Sequence, residues 1–237
     1  MSDVVAALVG SVALAAVHAL SPMVAHLPRR YRALSSSISG GVGLAYVLLY
    51  LLFELAKYGA PRIHAMWRLS PDPLESLFVL LLAALSVTFL LQARFEASPD
   101  RRDDHLGSAL FFVAYNTLAG MGLLEEARGG ALNLALYVTA LGLHLLFNDV
   151  FLTHLWPAAP HGRWRLALAA APVAGCALAA GFALSDGVLY TLLALIAGGT
   201  MMNVLRHELP DARDVRPVAF VGGVVVFAAL IIGTWRF

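Results

Sequence analysis

The sequence predicts an all-α polytopic membrane protein, eight transmembrane helices in a single domain covering residues 1–237. Three observations carry that prediction. Apolar residues make up 60% of the 237, and with the 20 glycines they come to about 162 positions, enough for eight bilayer spans of ~20 residues. Charged residues are only 13%, about half the ~25% of soluble domains, and the mean hydropathy is +0.78. Lastly, the apolar residues lie in long runs separated by charge and turn residues. This composition excludes a soluble globular enzyme, a disordered tail protein and a disulfide scaffold. A net charge of +1 gives no basic field for nucleic acid, and the lone Cys176 excludes an intramolecular disulfide or a thiolate metal cluster.

The spans, in order, are residues 4–26, 34–56, 74–91, 106–124, 131–155, 166–184, 188–205 and 218–235. The first has Asp3 and no Lys or Arg before it, so it reads as a permanent span and not as a cleaved secretory signal. It carries His18 and His26, eight apart with Pro22 between them, which reads as a kinked helix with a polar seam and an interfacial His26. Every run is long enough for a helix, which alone satisfies its own backbone in lipid, and the ~10-residue alternating segments of a β-barrel are absent. Only the connections 57–73, 92–105 and 206–217 exceed ten residues, too short to hold a soluble domain.

Orientation follows from basic residues. Of the 16, one side holds eleven: Arg29, Arg30, Arg32, Arg94, Arg101, Arg102, Arg163, Arg165, Arg206, Arg213 and Arg216. The other side holds Lys57, Arg62, Arg68, Arg128 and Arg236. The richer side is cytoplasmic, so both termini are expected outside.

Polar groups inside spans are costly and mark candidate function. The fourth span carries Tyr115, Asn116 and Thr117; the fifth carries His144, Asn148 and Asp149. Positions 116 and 144 are each 14 residues from Gly130, so an antiparallel hairpin turning there sets them at one depth. His144 and Asn148, four apart, share a helix face, and Asp149 is turned ~100° further. A packing network of helix glue and an ion or ligand site both fit this set. An unpaired central Asp costs ~2.5–3.5 kcal/mol.

In these motifs the chain resembles the ZIP family of divalent-metal transporters across most of its length. The family has eight spans, both termini outside, and a binuclear metal site made mainly by its fourth and fifth helices. Its fourth-span motif, His-Asn-x-x-Asp/Glu-Gly, is similar to Tyr115-Asn116-Thr117-Leu118-Ala119-Gly120, and its fifth-span motif, His-Glu-x-Pro-His/Glu-Glu/Gly, to His144-Leu145-Leu146-Phe147-Asn148-Asp149. In the second span Gly40-Gly41-Val42 leading to Leu51-Leu52-Phe53-Glu54 resembles Gly-Gly … Leu-Leu-Pro-Glu. In the seventh, Ala197-Gly198-Gly199 followed by Glu208-Leu209-Pro210-Asp211 resembles Ala-Gly … Glu-x-Leu-Pro-Glu.

The departures fall on ligand positions: Tyr115 replaces His, Ala119 and Leu145 replace carboxylates, and Asn148 holds the bridging position. The sixth span has no acidic residue. A candidate metal set of Asn116, His144, Asn148 and Asp149 remains, with Glu54 as an entrance residue by the resemblance. Zinc needs about four good donors and hard dications prefer charged oxygens, which favours a weak mononuclear site over a binuclear one.

The remaining histidines and methionines have ordinary readings. His105 with Asp100, Asp103 and Asp104 reads as a solvated loop. His154 and His161, beside Pro157 and Pro160, read with Trp156 and Trp164 as an interfacial anchor. Met201 and Met202 with Asn203 read as helix packing or a soft-metal path. An intramembrane hydrolase needs paired Ser/His or His-x-x-x-His/Asp, and Ser39, Ser108 and His144 have no such partner, so no enzyme is expected. The resemblance implies a divalent-metal transporter (zinc or similar) in a bacterial plasma membrane, whose partners are the lipid bilayer, the metal ion and a second copy in a homodimer. The alternative is a non-transporting relative, a scaffold, subunit or receptor for a non-metal ligand, in which the polar set is a neutral network.

Overall fold

A computed structural model of the chain describes residues 2–97, 102–155, 161–182, 184–208 and 215–234, and the elements among them are all helical. Helix α1 (Asp3–Ala25) starts at Ser2, whose hydroxyl accepts from the Val5 N–H at 3.4 Å, and Asp3 complements the first turn. It runs through Pro22, and the His26 N–H closes it on the Pro22 carbonyl at 3.2 Å.

Helix α2 (Arg29–Ala45) continues without a break through a π-helical segment (Tyr46–Leu51), α3 (Leu52–Glu54), a second π segment (Leu55–Gly59) and α4 (Ala60–Trp67). The result is a 38-residue rod over Arg30–Trp67. This corrects the expectation of a connection beginning at residue 57. Pro61 sits in the first turn of α4, just after a widened π turn, where its missing N–H and its ring are tolerated. Arg68, left-handed at φ 47°, ends the rod.

Asp72 accepts from the Leu74 and Glu75 N–H groups at 2.8 and 3.2 Å and starts α5 (Pro73–Ala97). Helices α6 (Arg102–Arg128) and α7 (Ala131–Leu155) form the expected hairpin, with Gly130 at φ 111°, a backbone state that side chains disfavour. Then come α8 (His161–Gly181), α9 (Asp186–Asn203), a π segment (Val204–Glu208) and α10 (Pro217–Thr234).

Among the described residues, six helices are long and apolar enough to cross a bilayer: Asp3–Val24, Arg30–Trp67, Pro73–Arg94, Ala131–Val150, Arg163–Gly181 and Asp186–Arg206. The expected fourth and eighth spans are not among them. Helix α10 offers a shorter apolar stretch, Pro217–Gly233. Helix α6 is the more informative exception. It packs against α1, α7, α8 and α9, so much of its surface meets protein and not lipid, and it can carry polar residues. Its crossing with α8 is close: a methyl on Gly120 would collide with the Pro172 carbonyl and one on Gly175 with the Thr117 carbonyl. Small residues at such crossings let backbones touch. Elsewhere α1 packs on α6, α7 and α8; α2 on α10 and α7; α5 on α9 and α4. The outward faces are apolar, with Val12, Leu82, Leu90 and Val226 all exposed, as lipid contact requires and water would not favour.

Candidate functional site

The polar interior is built around His18, on α1. Its Nδ1 lies 2.8 Å from Asp149 Oδ2 on α7, and its Nε2 lies 3.0 Å from Asn116 Oδ1 on α6. All three are buried, at 1%, 4% and 0% exposure. The Asn116 amide is oriented by its own helix, because its Nδ2 donates to the Phe112 carbonyl at 2.8 Å. Its Oδ1 therefore faces the imidazole as an acceptor, so His18 Nε2 carries a proton.

A second network lies on the α9 side of the same hairpin. Gln92, on α5, donates to Asn203 Oδ1, which turns the Asn203 Nδ2 toward His144 Nε2 at 3.3 Å. His144 Nε2 is thereby an acceptor. The Tyr115 ring stands edge-on to His144, centroids 5.7 Å apart, and its hydroxyl bonds Thr200. Adjacent residues on a helix point ~100° apart, so Asn116 serves the His18 network while Tyr115 serves the His144 one.

The structure therefore divides the predicted set. Asn116 and Asp149 come together, but only through His18; His144 joins Asn203; Asn148, 3% exposed, leaves its Oδ1 without a hydrogen-bond partner. Ala119 is fully buried with its carbonyl accepting from the Tyr137 hydroxyl at 2.8 Å, and Leu145 is buried core. Among the described residues no three His, Cys, Asp or Glu side chains stand together as a metal-holding group.

Sequence reasoning missed Gln92 and Thr200, and it read His18 as part of a polar seam and Asn203 as helix packing or a soft-metal path without placing either in the site. Depth could have found His18. At 1.5 Å per residue, His18, Asp149 and Asn116 lie ~22, ~27 and ~18 Å from Asp3, Ala131 and Arg128, the ends of their helices nearest the α6–α7 turn.

Glu54 is half-buried and lines a cavity of about 250 Å³ with Glu125, Glu126, Tyr50 and Tyr190. The Tyr50 hydroxyl donates to Glu126 there. Asp100, Trp156, Pro157, Pro160 and the Leu209-Pro210-Asp211 end of the seventh-span motif lie outside the described residues, as do the side chains of Asp103, Asp104, His105, His154, His161 and Glu208. No protein-family model, curated protein or solved structure matches the chain.

Proposed function

We propose that this chain is a ZIP-like membrane protein of eight spans, both termini outside, that passes a divalent cation along the polar seam between α1, α6 and α7. The observation that carries the reading is the buried His18–Asp149–Asn116 network, whose His18 and Asp149 stand on helices apolar enough to cross a bilayer. Ionisable groups at that depth are expensive and are kept for transport or binding. The Asn148 oxygen, buried and without a partner one residue from Asp149, adds an acceptor that an incoming cation would satisfy. A cation gathered at the Glu54 cavity reaches Asp149 only when His18 gives up its hold on the carboxylate. The arrangement described is therefore the closed one, and rocking of one helix group against another opens it. The π segment Val204–Glu208, directly after Asn203, is a natural place for such a change.

Uptake into proteoliposomes tests this. Flux of zinc, iron, manganese or cadmium should exceed that of empty vesicles and fall to their level in Asp149→Asn. Wild-type flux equal to empty vesicles for all four ions overturns it.

A second reading has its own observation: His18 bonds both Asp149 and Asn116, and among the described residues there is no three-donor metal group. A non-transporting relative would use the network to hold helices together. Elemental analysis separates the two, because one bound metal per chain, lost in Asp149→Asn, removes the second reading.

A further inference from the structure

We propose that the groove between α2 and α10 is a binding site for one anionic phospholipid, its acyl chain in the groove and its phosphate on Arg216 and Arg30. The groove has a volume of about 560 Å³ and, apart from Arg216, is walled by apolar residues and glycine. Leu34, Ile38 and Val42 line it from α2 and Val226 and Phe227 from α10. Residues 34, 38 and 42 recur every fourth position, so they form one stripe along α2. Arg30 is the next position on that stripe toward the helix start, exposed, with its guanidinium over the Tyr31 ring at 4.5 Å. Arg216 precedes α10 at the same end of the groove. Its backbone N–H is held by Ser37 Oγ at 3.0 Å, which fixes the residue at the groove mouth.

The charge pattern selects the occupant. Arg216 lines the mouth of an apolar slot, Arg30 follows on the α2 stripe one turn beyond Leu34, and among the described lining residues none is acidic. Both helices also begin at this end, adding the partial positive charge of their N-termini. Basic pockets between membrane helices on the cytoplasmic side suit anionic headgroups, and the count of basic residues assigns Arg216 to that side. The slot is preformed, because α2 and α10 meet backbone to backbone: a methyl on Gly223 would lie 2.6 Å from the Ile38 carbonyl oxygen, and one on Gly41 would strike the Phe220 carbonyl. Gly222 differs. A methyl there meets nothing within 4 Å, so a bulky side chain would enter the groove and leave the crossing undisturbed.

Native mass spectrometry of the full chain tests the site, after delipidation and titration with phosphatidylglycerol or phosphatidylethanolamine of matched acyl chains. Wild type should retain one phosphatidylglycerol in preference to phosphatidylethanolamine. Arg216→Gln should weaken phosphatidylglycerol about five-fold, the scale of one surface guanidinium, and leave phosphatidylethanolamine unchanged. Gly222→Phe should abolish the preference, and Gly222→Leu serves if the Phe variant does not fold. Equal binding of the two lipids to wild type overturns the proposal. So does a lipid-free wild-type dimer that Gly222→Phe converts to monomer, which would give the groove to a second copy of the chain.

Discussion

Removing the His18 imidazole would strand the Asp149 carboxylate oxygen and the Asn116 amide oxygen in an apolar interior. The loss is then larger than one hydrogen bond, which averages ~0.6 kcal/mol between membrane helices. It approaches the ~2.5–3.5 kcal/mol of an unpaired intramembrane Asp. His18→Leu should therefore cost about 2–3 kcal/mol in unfolding from detergent micelles. The double variant His18→Leu/Asp149→Leu should cost less than the single one, because it removes the stranded carboxylate and leaves only the Asn116 oxygen without its His18 partner. Additive losses would remove the coupling. Asn148 gives the opposite expectation. Its Oδ1 has no partner to lose, so Asn148→Leu should change stability by less than about 1 kcal/mol. A simultaneous fall in cation flux would put Asn148 on the transport route. The sequence showed Asn116, Asn148 and Asp149 as polar residues in apolar runs but could not show which pair: His18 meets Asp149 131 positions away and Asn116 98 positions away, and no periodicity encodes that.

Among the elements, the α6–α8 crossing sets where the His18 network sits, because it brings α6 close to α8 beside α1. Gly175 faces the Thr117 carbonyl, one residue from Asn116, with no room for a methyl. Gly175→Ala should push the helices apart and cost about 1–3 kcal/mol, the usual range for overpacking. Gly181→Ala, on the same helix with open space around it, should be close to neutral or slightly stabilising, because Ala favours the helix over Gly; equal losses at the two positions would remove the crossing as the cause. The α6–α7 hairpin was legible because Gly130 and the charges around it interrupt the apolar runs. The rod beyond residue 56 was not. Lys57 and Arg62 read as loop, yet Lys57 lies over the Tyr58 ring at 4.7 Å and Arg62 pairs with Asp186 at 2.9 Å, so both keep their charges at the rod's edge while the backbone stays helical. The π segments carry no sequence signature of their own and arise from packing.

For the whole molecule, the placement of the His18 network in the membrane turns on α6. Hydropathy leaves it out because Asn116, Thr117, the glycines and the charged ends dilute its apolar content, and those residues are there because α1, α7, α8 and α9 surround it. A buried polar helix and a helix lying outside the bilayer look alike in composition but differ in where their ends emerge. Labelling of introduced cysteines by a membrane-impermeant maleimide decides between them, with little background because Cys176 is fully buried. Ala97, exposed at the end of α5, and Arg128, exposed at the end of α6, bracket the helix. If α6 crosses, Arg128→Cys is labelled on intact cells and Ala97→Cys only after permeabilisation; if it does not, both follow one pattern. Leu27→Cys, beside the Arg29–Arg32 cluster, should behave as Ala97→Cys does, and Phe182→Cys, after α8, as Arg128→Cys does. That alternation would fix the side from which a cation meets the Glu54 cavity, and it would place the arginines of the α2–α10 groove at the anionic inner leaflet. The same label on both Ala97→Cys and Arg128→Cys would take the His18 network out of the membrane interior, and with it the reason to read the network as a transport site.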